Sequence, residues 1–129
     1  AMVEQFGASF VEPSDVKVME HGSVLNLAGI ELTVSHRPGH TTGSVTFTAT
    51  AEQPVMFSGD VLFKNAIGRT DLPTGDPLAM RRSLERLLAD TSDDTIIHPG
   101  HGESTLMLDE RTNNPYLQNL DYVAPLGSK

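Results

Sequence analysis

The chain has 129 residues and a formal net charge of -8, from 9 Lys and Arg against 17 Asp and Glu. That length suits one small domain with a core, and the acidic balance argues against a broad nucleic-acid surface, which needs clustered cations. No apolar run approaches the ~20 residues that span a bilayer, and the absence of cysteine removes disulfides and thiolate ligands together. The expectation is a cytoplasmic protein with no membrane or nucleic-acid partner and no signal segment.

Ala1-Met2 reads as a tag remnant, and residues 1 to 15 as a loose loop. Val16 to Met19 alternates and is expected as a short strand. His21-Gly22 reads as a solvated turn. Val24 to Leu27 and Ile30 to Val34, joined by Ala28-Gly29, form a predicted hairpin. Ser44 to Thr48 alternates as a half-buried strand, and Val55 to Phe57 is a short apolar one. Asp76 caps a predicted helix with Pro77 at its first position. Met80, Leu84, Leu87 and Leu88 make its apolar face, and Arg81, Arg82, Glu85 and Arg86 are expected mostly on the solvated one. Thr95 to Ile97 is a further strand, Thr105 to Thr112 a second helix stopped near Asn113-Asn114-Pro115, and the tail after Leu120 is expected to be loose. Strands, helix, strand and helix in that order imply one sheet covered by helices on one face. The other face, if apolar, needs another layer or another chain.

Three strand ends each offer a metal ligand: Pro38-Gly39-His40-Thr41, Ser58-Gly59-Asp60 and Pro99-Gly100-His101-Gly102. A loop His alone also serves as a surface hydrogen-bonder, and Ser58-Gly59-Asp60 also suits a turn or cap. A carboxylate at the end of an apolar strand, however, must be paired, hydrogen-bonded or on a metal. The repetition of strand, Pro-Gly and His on both sides of Asp60 is what points to a shared metal site. His36 and His98, in or beside strands, are candidates for orienting a ligand, with a satisfied position at the core edge as the alternative.

These residues resemble the metallo-β-lactamase superfamily, and within it the glyoxalase II-like hydrolases. The stretches that carry the match are His36 to Ser44, Phe57 to Phe63 running on to Gly68-Arg69-Thr70-Asp71-Leu72, Pro99 to Gly102, and Asn114-Pro115. The resemblance implies an αββα sandwich with a binuclear metal cleft along one edge. By motif, His40 would bind the first metal, Asp60 would bridge both and act catalytically by positioning them, and His101 would bind the second. The family's other ligands come from a His-x-His-x-Asp-His motif that this sequence lacks; His21-Gly22-Ser23-Val24 does not match it.

The fold class implied is therefore α+β: half of a metallo-β-lactamase αββα sandwich, with one mostly antiparallel sheet and helices on one face. Residues 1–129 would form a single partial domain, the C-terminal half, with 1–15 and 121–129 loose. The implied activity is metal-dependent hydrolysis, metal-bound hydroxide attacking the carbonyl of a small-molecule thioester or related ester. Two Zn2+ are expected per complete site, with iron as the alternative. This chain alone is expected to be inactive and can be metal-free, its partner being the missing N-terminal half or a second copy that covers the sheet face.

No Tyr follows His101-Gly102, where Glu103-Ser104-Thr105 stands, and the helical substrate domain of the glutathione-thioester hydrolases is not expected here, so the thiol carrier stays open. The Gly68-Arg69-Thr70-Asp71 run also resembles the iron-dependent persulfide dioxygenases, which would use His40 and Asp60 on one metal. Arg69 is a candidate for holding a substrate anion, or for pairing with Asp71 to fix its loop. A third reading is a non-enzymatic half-domain that associates through its sheet face.

Overall fold

A computed structural model describes residues 21–27 and 29–125. The strand expected at Val16 to Met19 and the loose segment 1–15 lie outside the described residues. Eight strands are described: β1 Val24–Leu27, β2 Ile30–His36, β3 Val45–Ala49, β4 Val55–Gly59, β5 Leu62–Phe63, β6 Ala66–Ile67, β7 Ile96–Pro99 and β8 Thr105–Leu106. Helices α1 Pro77–Asp90, α2 Met107–Asn113 and α3 Pro115–Gln118 follow or separate them, and a 3-10 turn closes at Leu120–Tyr122.

Six strands form one sheet in the order β1-β2-β3-β4-β7-β8, and β5 and β6 form a separate hairpin. Neighbours are antiparallel except β4 and β7. That pair is parallel because α1 carries the chain between them, as a parallel pair requires a crossover. The architecture is thus mixed α and β, with a mostly antiparallel sheet.

Alternation sorts the sheet into two faces. Met56 and Ile97 are register partners on one face. They pack with Met80, Leu84 and Leu87 of α1, Met107 of α2 and Leu117 of α3 in a single buried core. The Met80, Leu84, Leu87 spacing supplies α1's buried stripe, and the Asp76 carboxylate accepts the Leu78 and Ala79 N–H groups at its start. The opposite face carries Val34, Phe47, Phe57 and His98 across four adjacent strands. It too is apolar, with Leu32 and Val34 buried and Phe47 and Phe57 half-buried.

Three expectations are corrected. Arg81 is buried rather than solvated: its aliphatic stem covers the core edge, and its NH1 donates to Asp121 Oδ1 at 2.6 Å and to the Ala124 carbonyl at 2.8 Å. Those bonds also order the segment after Leu120, which is a 3-10 turn with Ala124 buried rather than a loose tail; residues 126–129 are outside the description. The second helix starts at Met107, because Thr105 and Leu106 first pair with Ile97 and Ile96 as an edge strand. Among the described residues no helix is long and apolar enough to cross a membrane.

Candidate metal centre

His40, Asp60 and His101 leave the sheet on three separate loops. His40 follows β2. Its loop is gripped by α1: the Ser83 hydroxyl donates to the Pro38 carbonyl at 2.7 Å, and the Asp76 N–H donates to the Gly39 carbonyl at 2.8 Å. Gly39 lies so close beneath the helix that a Cβ there would stand 2.4 Å from the Met80 Cα, and its φ is +146°. Only glycine meets both conditions. Arg37, fully buried, anchors the same stretch through Asp90 at 2.9 Å and Thr46.

Asp60 follows β4, where a register shift between Phe57 and Gly59 ends the regular ladder. The turn is closed by the Val61 N–H on the Ser58 carbonyl at 3.0 Å and by the Ser58 hydroxyl on the Leu62 carbonyl at 2.7 Å. His101 follows β7, which runs parallel to β4, so both strands deliver their ends to the same edge. The Gly100 N–H donates to the Gly59 carbonyl at 2.9 Å and locks the two loops together.

The structure brings the three side chains to one carboxylate. His40 Nε2 lies 3.4 Å from Asp60 Oδ2, and His101 Nδ1 lies 3.5 Å from Asp60 Oδ1. Charge-assisted hydrogen bonds are shorter, about 2.7–2.9 Å. Two ligands on a tetrahedral zinc, each about 2.0–2.1 Å from the metal, stand roughly 3.3–3.4 Å apart. The two separations therefore suit ligand edges better than ion pairs. They involve different oxygens of Asp60. Among the described residues no group of three or more His, Cys, Asp or Glu side chains could hold an ion alone.

His40 is oriented by the backbone. Its Nδ1 is 2.8 Å from the Arg69 carbonyl, an oxygen that can only accept, so Nδ1 carries a proton, and in the neutral ring Nε2 is the nitrogen left to act as a ligand on the Asp60 side. The segment bearing that carbonyl crosses directly below Asp60: a Cβ on Gly68 would stand 1.8 Å from the Asp60 carbonyl oxygen. The Arg69 guanidinium offered to a substrate anion is engaged by Asp71, in a two-pronged pair of 2.7 and 2.9 Å. Hydrogen bonding to Arg69 holds the Asp71 carboxyl below its ordinary value, and the same bond raises Arg69.

The other histidines stand outside the His40–Asp60–His101 group. His36 ends β2, where its N–H donates to His21 Nδ1 at 3.1 Å, and the two rings are 6.5 Å apart. His98 stacks on Phe57 on the far sheet face, and its Nδ1 is 2.6 Å from the Ser104 hydroxyl. That bond spans the His101 loop from end to end. Sequence reasoning missed two participants: the Arg69 carbonyl, which no side-chain pattern could reveal, and buried Glu110, signalled only by its i, i+4 spacing to Asn114.

Comparison with known proteins agrees with this architecture. The family model of the metallo-beta-lactamase superfamily matches residues 2–101, and the chain belongs to that superfamily. It is 43% identical over 115 residues to the protein ML0493 of Mycobacterium leprae, covering 88% of this chain and 53% of that protein. It is 41% identical over 100 residues to the hydroxyacylglutathione hydrolase GloC of Haemophilus influenzae, covering 78% of this chain and 47% of the relative. Among solved structures, TTHA1623 in a di-iron-bound form superposes with a TM-score of 0.67 at 42% identity, covering 77% of this chain and 47% of that one. The chain thus spans about half the length of the curated relatives it matches.

Proposed function

We propose that this chain supplies the C-terminal half of a binuclear metal-dependent hydrolase acting on a thioester or related ester. The observation that carries the reading is the placing of His40 and His101 against separate oxygens of Asp60, at 3.4 and 3.5 Å. A carboxylate flanked in this way suits the ligand shared by two ions, with one imidazole for each. The 41% identity to a hydroxyacylglutathione hydrolase supports the reaction class.

Zinc, when bound there, supplies water of pKa about 7 and a Lewis acid for a carbonyl. This chain's own residues do the rest by position. His40 presents Nε2 because the Arg69 carbonyl holds the Nδ1 proton. Asp60 lies half-exposed at the sheet edge, with both oxygens aimed at histidines. In a thioester the departing thiolate is stable, so the site needs no strong acid beside it.

The chain alone contributes one imidazole to each position plus a shared carboxylate, which is fewer than the three protein ligands of an ordinary catalytic zinc. Its activity therefore depends on a complementing half that brings the remaining ligands. Iron remains the competing metal, because a similar solved structure carries a di-iron centre.

The test is elemental analysis and thioester hydrolysis with a protein that joins this chain to a complementing N-terminal half. Two zinc ions per chain and thioester cleavage are expected, with Asp60→Asn lowering kcat by at least about a hundredfold. A protein that holds two zinc ions yet cleaves no thioester, ester or lactone would overturn the reading. Oxygen consumption with a persulfide, seen only with iron, would replace it by a dioxygenase.

A further inference from the structure

Glu110, on α2, is 1% exposed. Its neighbours in the core, Met107 and Leu117, are apolar, so packing gives no reason for a carboxylate there. A buried carboxylate is unfavourable unless its lone pairs are met, and here three donors meet them. Oε1 accepts the Asn65 backbone N–H at 2.7 Å and the Asn114 amide at 3.0 Å, and Oε2 accepts the Thr105 hydroxyl at 2.7 Å.

Two of these donors belong to segments that frame the Asp60–His101 side of the cleft. Asn65 is the tip of the β5–β6 hairpin, in a left-handed conformation of φ 60°. That hairpin begins two residues after Asp60 and carries Phe63, whose ring centroid lies 4.7 Å from that of His101. Thr105 opens β8, at the end of the loop that bears His101. The third donor, Asn114, binds the same hairpin through the Ala66 carbonyl at 3.2 Å. One carboxylate therefore ties the hairpin after Asp60 to the strand after His101. His101 gains most from this, because its ring is 73% exposed and leans on Phe63.

We propose that Glu110 is a positioning residue: through the hairpin and the β8 entry it sets Phe63 and His101 against Asp60. Calling this the wall of a metal centre rests on the functional reading above; the placement of His101 does not.

Glu110→Gln separates charge from geometry. Its carbonyl oxygen can keep the Asn65 and Asn114 donors, and Thr105 can turn its hydroxyl to accept from the new amide. Glu110→Ala keeps neither arm. Thr105→Val cuts only the Oε2 arm and leaves the core intact.

The experiment reads the ring-current shift that Phe63 imposes on the His101 imidazole protons in the metal-free chain by NMR, with Phe63→Leu defining its absence. Glu110→Ala should abolish the shift, Thr105→Val should reduce it and Glu110→Gln should keep it. Leu117→Ala, a core change of comparable destabilisation, should also keep it. A wild-type shift in Glu110→Ala, or an equal loss in Leu117→Ala, overturns the proposal. Should Glu110→Ala not fold, an unchanged shift in Thr105→Val overturns it instead. A zinc titration of the same variants, each joined to a complementing N-terminal half, then separates the two claims. Glu110→Ala should weaken the His101 response about tenfold, with Glu110→Gln within about twofold of wild type. No zinc response at His40 and His101 in the joined wild-type protein sinks the metal reading, while the ring shift in the metal-free chain still decides the role of Glu110.

Discussion

The two Pro-Gly-His loops share a sequence design and differ in how they are held. The His40 loop is wedged under α1, with Gly39 against Met80, and its ring is hydrogen-bonded to the Arg69 carbonyl. Its side chain is 19% exposed. The His101 loop stands at the rim. It is held by the Gly100 N–H on the Gly59 carbonyl, by His98 against Ser104, and by the Phe63 ring. One imidazole is thus preorganised by main chain and core, the other by side chains near the surface. The same tripeptide gives a rigidly held imidazole where a helix lies over it and an adjustable one where none does.

The largest effect should come from Gly39→Ala. A Cβ there meets the α1 backbone at 2.4 Å in a conformation that side chains avoid, so a loss of roughly 3 kcal/mol or more is expected, read by denaturant unfolding. Gly102→Ala, at φ +85° but with nothing within 4 Å of its Cβ, should lose only about 1 kcal/mol. Equal losses at the two glycines would break the contrast between the loops.

A smaller effect is expected for Ser104→Ala, which removes the partner of His98. Stability should change by less than about 1 kcal/mol, while amide exchange at His101 quickens and that at His40 does not. Quickening at both would mean that the loops are coupled, not separately held.

The smallest effect concerns Asp71. Its carboxyl lies below the ordinary value because Arg69 hydrogen-bonds to it. The pair's contribution is therefore present above the ordinary carboxylate pKa and lost as pH falls through the lowered one. Both partners are exposed, so the energy is small. Arg69→Ala should return the Asp71 titration upward, followed by its carboxyl carbon shift; an unmoved titration would show the pair to be idle in solution.

The strand ends that bring His40, Asp60 and His101 together were legible because they follow local rules. A hairpin turn at Ala28-Gly29 marks β2, apolar alternation marks β3, a short apolar run marks β4, Asp76-Pro77 marks the start of α1, and Pro-Gly turns mark where the chain leaves the sheet. What was not legible depends on distant partners. Arg81 looks solvated by helical spacing, and its burial follows from Asp121 and Ala124 some forty positions on. Thr105-Leu106 looks helical until β7 needs an edge partner. The Arg69 carbonyl and Glu110 act across loops that only the fold brings together. That His40 and His101 have the same flanking sequence gave no hint that their surroundings differ.

The most direct test of the central claim is a zinc titration of this chain joined to a complementing N-terminal half, followed by imidazole 15N NMR. The account predicts that zinc perturbs His40 at Nε2 and His101 at Nδ1, leaves the rings of His21, His36 and His98 unmoved, and loses both responses in Asp60→Asn. A response at His21 and His36, or one at His40 and His101 that survives Asp60→Asn unchanged, would contradict it.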